Sequence, residues 1–382
     1  MKHFNVTGLC VKEKHYMADI SAKINEIMEL VAKGKYFTIN RARQYGKTTT
    51  LAVLAKSLPD DYTCISISFE GVGETMFKNP ASFCQRFLLR ISKTLENTDK
   101  EFAASWLDES VTDFDLFEYH LDRLCKNRKI VLMIDEVDRT SENRVFLHFL
   151  GMLRNMYLAR ENGTANTFQS VILAGVYDIK NIKLKLINEG VYAEKDRYSQ
   201  DSINQGNIYN SPWNIAADFN VDMSFSPSEI ATMLSEYEVD NHTGLDIDFI
   251  SGEIYEYTSG YPFLVSRICQ CIDEKLDKDW TKTGIQHAVK IILEEKSVLF
   301  DDMVKNLENN KDLYNFLYSL LIVGERKAFV TDNPIVEWCS MFGYIKRSNG
   351  FADGQLSRDA IIANKIFEMR MSYYFCSKDE TV

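Results

Sequence analysis

The chain has 382 residues, 45% hydrophobic and 26% charged, so its composition excludes a disordered protein and is sufficient for two or three domains. The formal net charge of −11 and the lack of a basic stripe give no support for a nucleic-acid partner. The N-terminus lacks the apolar core of a signal peptide, no apolar run approaches the ~18 residues of a membrane helix, and the eight cysteines show no metal-ligand spacing. We therefore expect a cytoplasmic protein with reduced thiols and no contact with a membrane.

The first part of the chain alternates predicted helices and strands. Helical periodicity covers Ile20–Ala32, Thr48–Leu58, Phe114–Cys125 and Val145–Arg160. The predicted strands are Tyr36–Ile39, Tyr62–Phe69, Ile130–Ile134 and Ser170–Gly175, and a last strand signal covers Phe219–Met223. This alternation predicts an α/β fold, with a parallel sheet sandwiched by helices, over residues 1–225.

A partial phosphate-binding pattern follows the first predicted strand, in the sequence RARQYGKTTT. Gly46, Lys47 and Thr48 supply the second half of the pattern GxxxxGK[ST], whereas Arg41 stands where the first Gly is expected. Lys47 is predicted to contact the β and γ phosphates and to be catalytic, and the Thr48 hydroxyl is predicted to bind Mg²⁺. The other residues predicted to bind the nucleotide are Arg43, Gln44, Tyr45, Gly46 and Thr49. The alternative is an ordinary basic turn between a strand and a helix.

Two carboxylates end a second apolar strand, in the sequence KIVLMIDEVD at Lys129–Asp138. A continuous apolar run is typical of a central parallel strand, and ligands of open α/β sheets bind at the carboxyl ends of such strands. Asp135 is predicted to hold Mg²⁺ through water, and Glu136 to orient or deprotonate an attacking water. The alternative is a solvated acidic turn after a buried strand.

Helices dominate the remainder of the sequence. Residues 226–297 are predicted to form a four-helix lid, which begins where Ser226 caps a helix with Pro227 at its first position and Glu229 in its first turn. The predicted lid helices are Ser226–Tyr237, Ile247–Thr258, Pro262–Leu276 and Gly284–Lys296. Residues 298–382 are predicted to form a winged helix, with helices up to Phe342, a β-hairpin near Tyr344–Ser357 containing Gly350 and Gly354, and a last helix.

Several segments together resemble the bacterial AAA-like ATPases of the STAND group, which are P-loop ATPases with a helical lid and a winged helix and are similar to archaeal ATPases. The segments are HYMADI, YFTINRARQYGKTTTL, VLMIDEVD, SVILAGVYDIKN, SPWNI and TSGYPFLV. The resemblance spans nearly the whole chain and implies ATP or ADP with Mg²⁺ as cofactors. In that group a Gly-x-Pro turn in the lid touches the nucleotide, which corresponds to Gly260, Tyr261 and Pro262 here, with Pro262 as the predicted contact. The alternative is a plain helix-breaking turn.

Relatives in this group often continue into a nuclease domain of the PD-(D/E)xK kind, and we expect this chain to lack it. Glu294, Glu295 and Lys296 fit an ExK spacing. They lie on a predicted helix without a preceding Asp on a strand, which favours a solvated helix face. We therefore predict no nuclease activity.

Other candidate residues have structural alternatives. Arg154 or Arg160 is a candidate arginine finger for the γ phosphate, although exposed helix arginines usually pair with acids. Asp178 occupies the position of a polar γ-phosphate sensor, but a carboxylate there would repel phosphate unless it contacts metal or water. His15 and Tyr16 are candidates for contact with the adenine, with core packing as the alternative.

The main hypothesis is an ATPase that hydrolyses ATP slowly with Mg²⁺ and uses the nucleotide state as a conformational switch sensed by a partner protein. A second hypothesis is a nucleotide-stabilised module that binds protein or DNA through the winged helix without hydrolysis. The acidic net charge gives no support for the DNA contact. A third is an ATPase-like fold that has lost nucleotide binding.

Overall fold

The computed structural model describes residues 2–140, 143–176, 213–348, 351–352, 355–356 and 358–379. The chain divides into two compact units. The sheet unit consists of Ala22–Asn40 and Thr50–Val221, and the helical unit consists of Met1–Ser21, Arg41–Thr49 and Asp222–Val382. The three-domain division made from the sequence stays a prediction. Among the described helices, none has the length and apolar character needed to cross a membrane.

The sheet unit contains a four-stranded parallel sheet in the order β1-β4-β3-β2. Its strands are β1 (Phe37–Asn40), β2 (Tyr62–Ser68), β3 (Lys129–Asp135) and β4 (Ser170–Gly175). Consecutive residues of β3 and β4 are buried, apart from Lys129 at the start of β3, so both faces of these strands are covered. This confirms the predicted α/β fold with a parallel sheet.

Helices α1 to α6 lie between these strands in the chain or before them. They are α1 (Ser21–Ala32), α2 (Lys47–Ser57), α3 (Pro80–Leu95), α4 (Lys100–Ser105), α5 (Phe114–Cys125) and α6 (Arg144–Glu161). Helices α3, α4 and α5 all lie between β2 and β3. Side chains cap several of them: Asn79 accepts a hydrogen bond from the Ser82 amide at the start of α3, and Asp113 accepts one from the Leu116 amide at the start of α5. Phenylalanines from α3, α5 and α6 pack with Ile65, Leu132 and Leu173 in one continuous core.

A segment without regular secondary structure covers the outer edge of β1. The Trp213 indole donates a hydrogen bond to Thr38 Oγ1 at 3.0 Å, and the Ala217 amide donates one to the carbonyl of Tyr36 at 2.7 Å. The prediction of a strand at Phe219–Met223 was wrong, because the one β-bridge that the described segment 213–223 makes to β1 joins Ala217 to Phe37, and Phe219 instead stacks its ring on Phe37.

The helical unit contains eight further described helices. They are α7 (Pro227–Asn241), α8 (Ile247–Thr258), α9 (Pro262–Lys275), α10 (Lys282–Glu294), α11 (Val298–Asn309), α12 (Lys311–Tyr318), α13 (Pro334–Met341) and α14 (Lys365–Asp379). The predicted cap of α7 is confirmed: Ser226 and Glu229 form a reciprocal capping box, and Pro227 occupies the first turn. The π-helical segment Ser319–Val323 continues α12.

The N-terminal segment supplies part of the core of the helical unit. The rings of Phe4 and Tyr16 pack against Tyr237 of α7 at centroid distances of 5.1 and 5.3 Å. The Tyr16 hydroxyl donates to Asp240 at 3.1 Å and accepts from Asn241 at 3.1 Å. These contacts favour the core-packing interpretation of Tyr16 over contact with an adenine.

A β-hairpin precedes α14, but it is longer than predicted. Strand β5 (Ile345–Arg347) pairs antiparallel with β8 (Ala360–Ile362), and between them β6 (Phe351–Ala352) pairs with β7 (Gln355–Leu356). The hairpin therefore extends to Ile362 rather than ending near Ser357. Gly350, Gly354 and Ser357 lie outside the described residues. The winged helix itself stays a prediction.

Candidate functional site

The loop between β1 and α2 turns through two residues with left-handed backbone. Within Arg41–Thr49, all of which the structure describes, positive φ occurs at Gln44 (57°) and Gly46 (77°). Glycine adopts this region without cost, whereas a residue with a Cβ adopts it less readily. Arg41 has no positive φ, so the position where the phosphate-binding pattern has its first Gly does not require one in this chain.

Helix α2 begins at Lys47, so the loop leads into a helix N-terminus. The first four N–H groups of an α-helix have no partner within the helix, and the aligned peptide dipoles add a partial positive charge there. Such an end binds phosphate groups readily. Thr48 is exposed in this first turn, while the Thr49 hydroxyl accepts a hydrogen bond from the Cys10 amide at 3.2 Å.

The Lys47 ammonium turns back over the loop. It is 7% exposed, and Nζ donates to the carbonyls of Arg41 at 2.9 Å and Ala42 at 3.0 Å. A buried ammonium requires acceptors, and phosphate oxygens are acceptors of the kind that binds it. The N–H donors of α2 and this ammonium therefore fit a nucleotide phosphate.

A second cation lies at the first position of the loop. Burial lowers the pKa of the Arg41 guanidinium, and the neighbouring Tyr45 and Asp222 raise it. Because a guanidinium keeps its proton at any physiological pH, Arg41 remains positively charged. It adds positive charge to a loop whose predicted ligand is an anion.

Hydrogen bonds and ring contacts connect the loop to later parts of the helical unit. The Tyr261 hydroxyl donates to the carbonyl of Arg43, and Arg43 Nη1 lies 3.1 Å from Asp302 Oδ2 as an ion pair. The hydroxyls of Tyr45 and Ser224 share a hydrogen bond of 2.7 Å, and the Tyr45 and Tyr261 rings meet edge to face at 4.6 Å. We call these five residues the loop anchor. It joins the phosphate loop to the segment before α7, to the start of α9 and to α11.

The turn before α9 positions Tyr261 for this contact. Gly260 has a φ of +74°, and a Cβ added there would lie 1.9 Å from the carbonyl oxygen of Phe225. Pro262 takes the first position of α9, where proline is favoured, and is buried. The contact of Pro262 with nucleotide stays a prediction, and the residue of this turn that touches the loop is Tyr261. Sequence reasoning placed Tyr261 in the Gly-x-Pro turn but did not find its bond to Arg43, because Arg43 lies 218 residues earlier in the chain.

The acidic residues lie at the carboxyl end of β3, in the sheet unit. Asp135 is 6% exposed, and its Oδ1 accepts a hydrogen bond from the Glu136 amide at 2.9 Å. Glu136 has a φ of 57°, and a 3₁₀ turn at Val137–Thr140 follows. A left-handed non-glycine residue costs about 1 kcal/mol or more and is held only by its surroundings, and such residues are concentrated at functional sites. Carboxylate oxygen is the kind of donor that Mg²⁺ prefers, so Asp135 has the chemistry of the predicted ligand.

Comparison with known proteins shows the family of the chain. The family model of the AAA-like domain matches residues 8–346. The chain belongs to this AAA-like family. No curated protein matches the sequence.

Solved structures show which fold this AAA-like chain shares. A Walker-type ATPase of Pyrococcus abyssi has a TM-score of 0.58 at 11% identity, with 97% of this chain and 99% of that chain covered. The ORC2 protein of Aeropyrum pernix, in ADPNP-ADP complexes, has a TM-score of 0.41 at 10% identity and 93% coverage of both chains. The RuvB Holliday junction branch migration motor of Thermotoga maritima has a TM-score of 0.39 at 13% identity, covering 92% and 94%. The first likeness shows the P-loop ATPase fold.

The two arginine-finger candidates of the AAA-like chain have partners within the sheet unit. Arg160 donates to the carbonyls of Gly34, Phe168 and Gln169, which immediately precede β1 and β4. It therefore lies at the amino edge of the parallel sheet, opposite the edge where Asp135 lies. Arg154 donates to Asn214 at 2.7 Å. These contacts favour a structural role for both arginines.

The remaining candidates of the AAA-like chain are placed as follows. Asp178 lies outside the described residues. His15 Nδ1 accepts a hydrogen bond from the Val11 amide at 2.8 Å, which fixes the turn leading to Tyr16. Glu295, one residue after α10, accepts hydrogen bonds from Arg267 and forms an ion pair with it, and the absence of nuclease activity stays a prediction.

No cluster of three or more His, Cys, Asp or Glu side chains within the described residues could hold a metal by itself. Mg²⁺ is commonly held by one or two protein oxygens together with substrate phosphates and water. The predicted roles of Thr48 and Asp135 in binding Mg²⁺ stay predictions.

Proposed function

We propose that this AAA-like chain binds ATP with Mg²⁺ and hydrolyses it slowly to ADP and phosphate. The observation that carries the proposal is the register of β1 and β3 on the strand between them, β4. Thr38 of β1 and Ile134 of β3 pair with the same residue of β4, Leu173, from its two sides. The strand that leads into the phosphate loop and the strand that ends in the two carboxylates therefore exit at one edge of the sheet. Ligands of open α/β sheets bind outside that edge.

The loop residues would bind and orient the phosphates. Lys47 would exchange the loop carbonyls that it contacts for phosphate oxygens, and the N-terminal amides of α2 would donate to the same groups. The predicted contacts of Arg43, Gln44, Tyr45, Gly46 and Thr49 belong to this proposal. Backbone amides and one ammonium hold a nucleotide in a fixed orientation, which is most of what phosphoryl transfer requires of the protein.

Glu136 would handle the proton of the attacking water. Its left-handed backbone and its amide hydrogen bond to Asp135 hold it at the exit of β3. From there its carboxylate would orient the water and accept its proton. Mg²⁺ held by Thr48 and Asp135 would neutralise negative charge on the phosphates.

The loop anchor would couple nucleotide state to the rest of the helical unit. Arg43 and Tyr45 bond to Ser224, Tyr261 and Asp302, so a change in the loop reaches three elements after residue 221. A ligand shifts a conformational equilibrium only through contacts that differ between the two states, and the loop anchor supplies contacts that can differ. This supports a nucleotide-dependent switch of the STAND kind, with the residues after 297 as the part that a partner protein would sense.

Nucleotide binding is tested first, by thermal unfolding with Mg²⁺ and ATP, ADP or GTP. A ligand present at a hundredfold its dissociation constant stabilises the folded protein by about 2.7 kcal/mol. We expect ATP and ADP to raise the unfolding temperature of the native protein but not of Lys47→Ala. The matched control is Lys56→Ala, which removes an exposed lysine from the last turn of the same helix and should keep the shift. Absence of any shift in the native protein would contradict nucleotide binding.

Hydrolysis is tested by steady-state release of phosphate. Glu136→Gln keeps the shape of the side chain and removes its ability to accept a proton. We expect phosphate release to fall by roughly a hundredfold, within the range of general-base catalysis, while the ATP-induced thermal shift is kept. Equal rates for the native protein and Glu136→Gln would contradict hydrolysis by this site.

One observation favours a second candidate function, a nucleotide-stabilised interaction module that does not hydrolyse ATP. The phosphate loop, Arg41–Thr49, belongs to the same compact unit as Asp222–Val382, so nucleotide occupancy alone could order that unit. In that case binding of a partner protein survives Glu136→Gln and is lost in Lys47→Ala. A hydrolysing switch instead requires both residues for release of the partner.

A further inference from the structure

A hydrogen bond joins the exits of the two central strands β3 and β4. Val176, the first residue after β4, donates its amide hydrogen to Asp138 Oδ2 at 2.6 Å. Asp138 lies in the 3₁₀ turn that follows Glu136. The side chain of Asp138 therefore reaches from the turn after β3 to the end of the neighbouring strand.

The residue before Val176 makes this close approach possible. A Cβ added at Gly175 would lie 2.5 Å from Asp138 Oδ1 and 3.0 Å from Val137 Cγ2. Gly175 has no positive φ, so it is required for space rather than for its backbone conformation. Gly175, Val176 and Asp138 form one contact between the two strand exits, which we call the strand junction.

The strand junction and Asp135 hold the turn that carries Glu136 on both sides. Before Glu136, Asp135 Oδ1 accepts the Glu136 amide hydrogen. After it, Asp138 fixes the 3₁₀ turn to β4. The left-handed conformation of Glu136 costs about 1–2 kcal/mol relative to ordinary backbone, so a turn released on one side would relax and move the carboxylate.

We propose that Asp138 is a positioning residue for the hydrolysis assigned above: by binding the Val176 amide it holds Glu136 in the geometry needed to orient the attacking water. This inference rests on the proposed function. Asp138 acts through Glu136 and not through contact with the nucleotide. Its task requires a hydrogen-bond acceptor and not a negative charge, which distinguishes it from a metal ligand.

Two substitutions test separately whether Asp138 must accept a hydrogen bond and whether it must carry a negative charge. Asp138→Asn keeps an oxygen that can accept the Val176 amide hydrogen, whereas Asp138→Ala removes it. We expect Asp138→Ala to lower kcat by about tenfold to a hundredfold, since small displacements of catalytic groups have effects of this size. KM and the dissociation constant of ADP should change less than about twofold, and Asp138→Asn should stay within about threefold of native kcat.

Asp122 provides the matched control. It is also a half-buried aspartate that accepts a backbone amide hydrogen, from Asn166, on the approach to β4 at the opposite edge of the sheet. Asp122→Ala should keep native kcat. If Asp122→Ala lowers kcat as much as Asp138→Ala does, the effect is a general loosening of the sheet unit and the inference is wrong. If Asp138→Asn is as slow as Asp138→Ala, the charge matters and the positioning role is also wrong.

Gly175 gives an independent test by a double-mutant cycle. Gly175→Ala pushes on Asp138 Oδ1, so we expect it to lower kcat in the native background. In the Asp138→Ala background the nearest of the contacting atoms is gone, and the same substitution should cost several-fold less in kcat. Additive effects of the two substitutions would contradict a shared strand junction.

Amide hydrogen exchange without nucleotide gives a readout besides activity. We expect Asp138→Ala, but not Asp138→Asn or Asp122→Ala, to speed exchange by about tenfold in the segment Glu136–Asp138 and at Val176. Unchanged exchange in Asp138→Ala would overturn the strand junction whatever the kinetics. If the native protein does not release phosphate at all, the proposed function fails and the positioning role fails with it. If it does, and Asp138→Ala keeps native kcat, the inference alone is overturned.

Discussion

Gly260→Ala is the substitution for which the structure gives the sharpest expected cost. Gly260 lies in the turn before α9, with a φ of +74°. A Cβ there would lie 1.9 Å from the carbonyl oxygen of Phe225 and 2.8 Å from its carbonyl carbon and its nitrogen. All three atoms belong to the backbone, so no side-chain rotation relieves the overlap. Relief requires the two backbone segments to separate by more than an ångström.

Separation of these segments breaks a hydrogen bond. The Phe225 amide donates to the carbonyl of Gly260 at 2.8 Å. A left-handed alanine costs about 1 kcal/mol, and a broken hydrogen bond that leaves a buried polar group unsatisfied costs about 1–3 kcal/mol more. We therefore expect Gly260→Ala to lower the free energy of unfolding by about 3 kcal/mol.

Gly244→Ala isolates the steric part of this cost. Gly244 has nearly the same φ, +73°, but a Cβ added there would have no neighbour within 4 Å. It should therefore lose only the backbone part, about 1 kcal/mol. The assay is urea-induced unfolding at equal m-values, followed by circular dichroism.

A difference between the two variants below about 0.5 kcal/mol would refute the reasoning, because it would mean that the turn separates from Phe225 at no cost.

ADP binding gives a second measurement, which connects stability to function. Gly260 precedes Tyr261, whose hydroxyl holds the carbonyl of Arg43 in the phosphate loop. Gly260→Ala should therefore weaken ADP binding, whereas Gly244→Ala should leave it unchanged.

Three further predictions follow from single side chains. Arg160→Met removes hydrogen bonds to three backbone carbonyls, so it should lower the free energy of unfolding in urea by about 3 kcal/mol and leave kcat unchanged. The structural role of Arg160 would be contradicted if the variant were as stable as the native protein, or if it lost kcat without losing stability. Burial, His3 and Lys14 lower the pKa of His15, so the folded protein binds this proton more weakly than the unfolded chain, and stability is lost as the pH falls below the ordinary value of about 6.5. His15→Asn, which keeps an acceptor for the Val11 amide, should weaken that pH dependence in unfolding measured between about pH 7.5 and 5. Tyr261→Phe should weaken ADP binding by about fivefold in calorimetry, equivalent to one hydrogen bond, and native affinity would show that the loop anchor does not support the loop.

Local sequence patterns were sufficient to predict the elements that carry the candidate site. The apolar run Ile130–Ile134 became β3, which extends one residue further at each end because the ladder with β2 includes Lys129 and Asp135. Residue types at Ser226, Pro227 and Glu229 predicted a helix start that the structure confirms. These signals depend on residues within a few positions of one another, so they can be recognised from the sequence alone.

Contacts between distant segments could not be predicted in this way. The bond from Tyr261 to Arg43 and the packing of Phe4 on Tyr237 join residues more than two hundred positions apart. The residue types show that these aromatic side chains are apolar or amphipathic, but the sequence does not show which residues they contact. The strand junction was missed for a related reason, because Asp138 has the same residue type whether it lies in solvent or binds the amide of Val176.

Arg160 shows that the position of a residue in the helix after the acidic strand is not enough to assign it as an arginine finger. Its place in the helix after the acidic strand made it a candidate arginine finger. The structure shows that α6 begins near the carboxyl edge of the sheet and returns to the amino edge, where Arg160 bonds to Gly34, Phe168 and Gln169. A helix of 18 residues spans roughly 27 Å, so one end of it cannot serve the opposite edge of the sheet.

The dihedral angles of the phosphate loop also decide how Arg41 should be understood. If the missing Gly had made the loop defective, Arg41→Gly would tighten nucleotide binding. The left-handed positions are Gln44 and Gly46 instead, and Arg41 adopts ordinary backbone. We therefore expect Arg41→Gly to lower the free energy of unfolding by about 0.5–1 kcal/mol through added chain entropy, and to weaken ADP binding because a cation is lost.

Gly46→Ala provides the comparison for Arg41→Gly. It has space for a methyl group but a φ of +77°, so its cost of about 1 kcal/mol or more is conformational and should appear in both stability and ADP affinity. Thermal unfolding with and without ADP measures both variants. Tighter ADP binding by Arg41→Gly would show that the arginine obstructs the phosphates, and native behaviour of Gly46→Ala would show that the left-handed turn is not required. The expected pattern, a loss in each, would place the conformational requirement of this loop at Gly46.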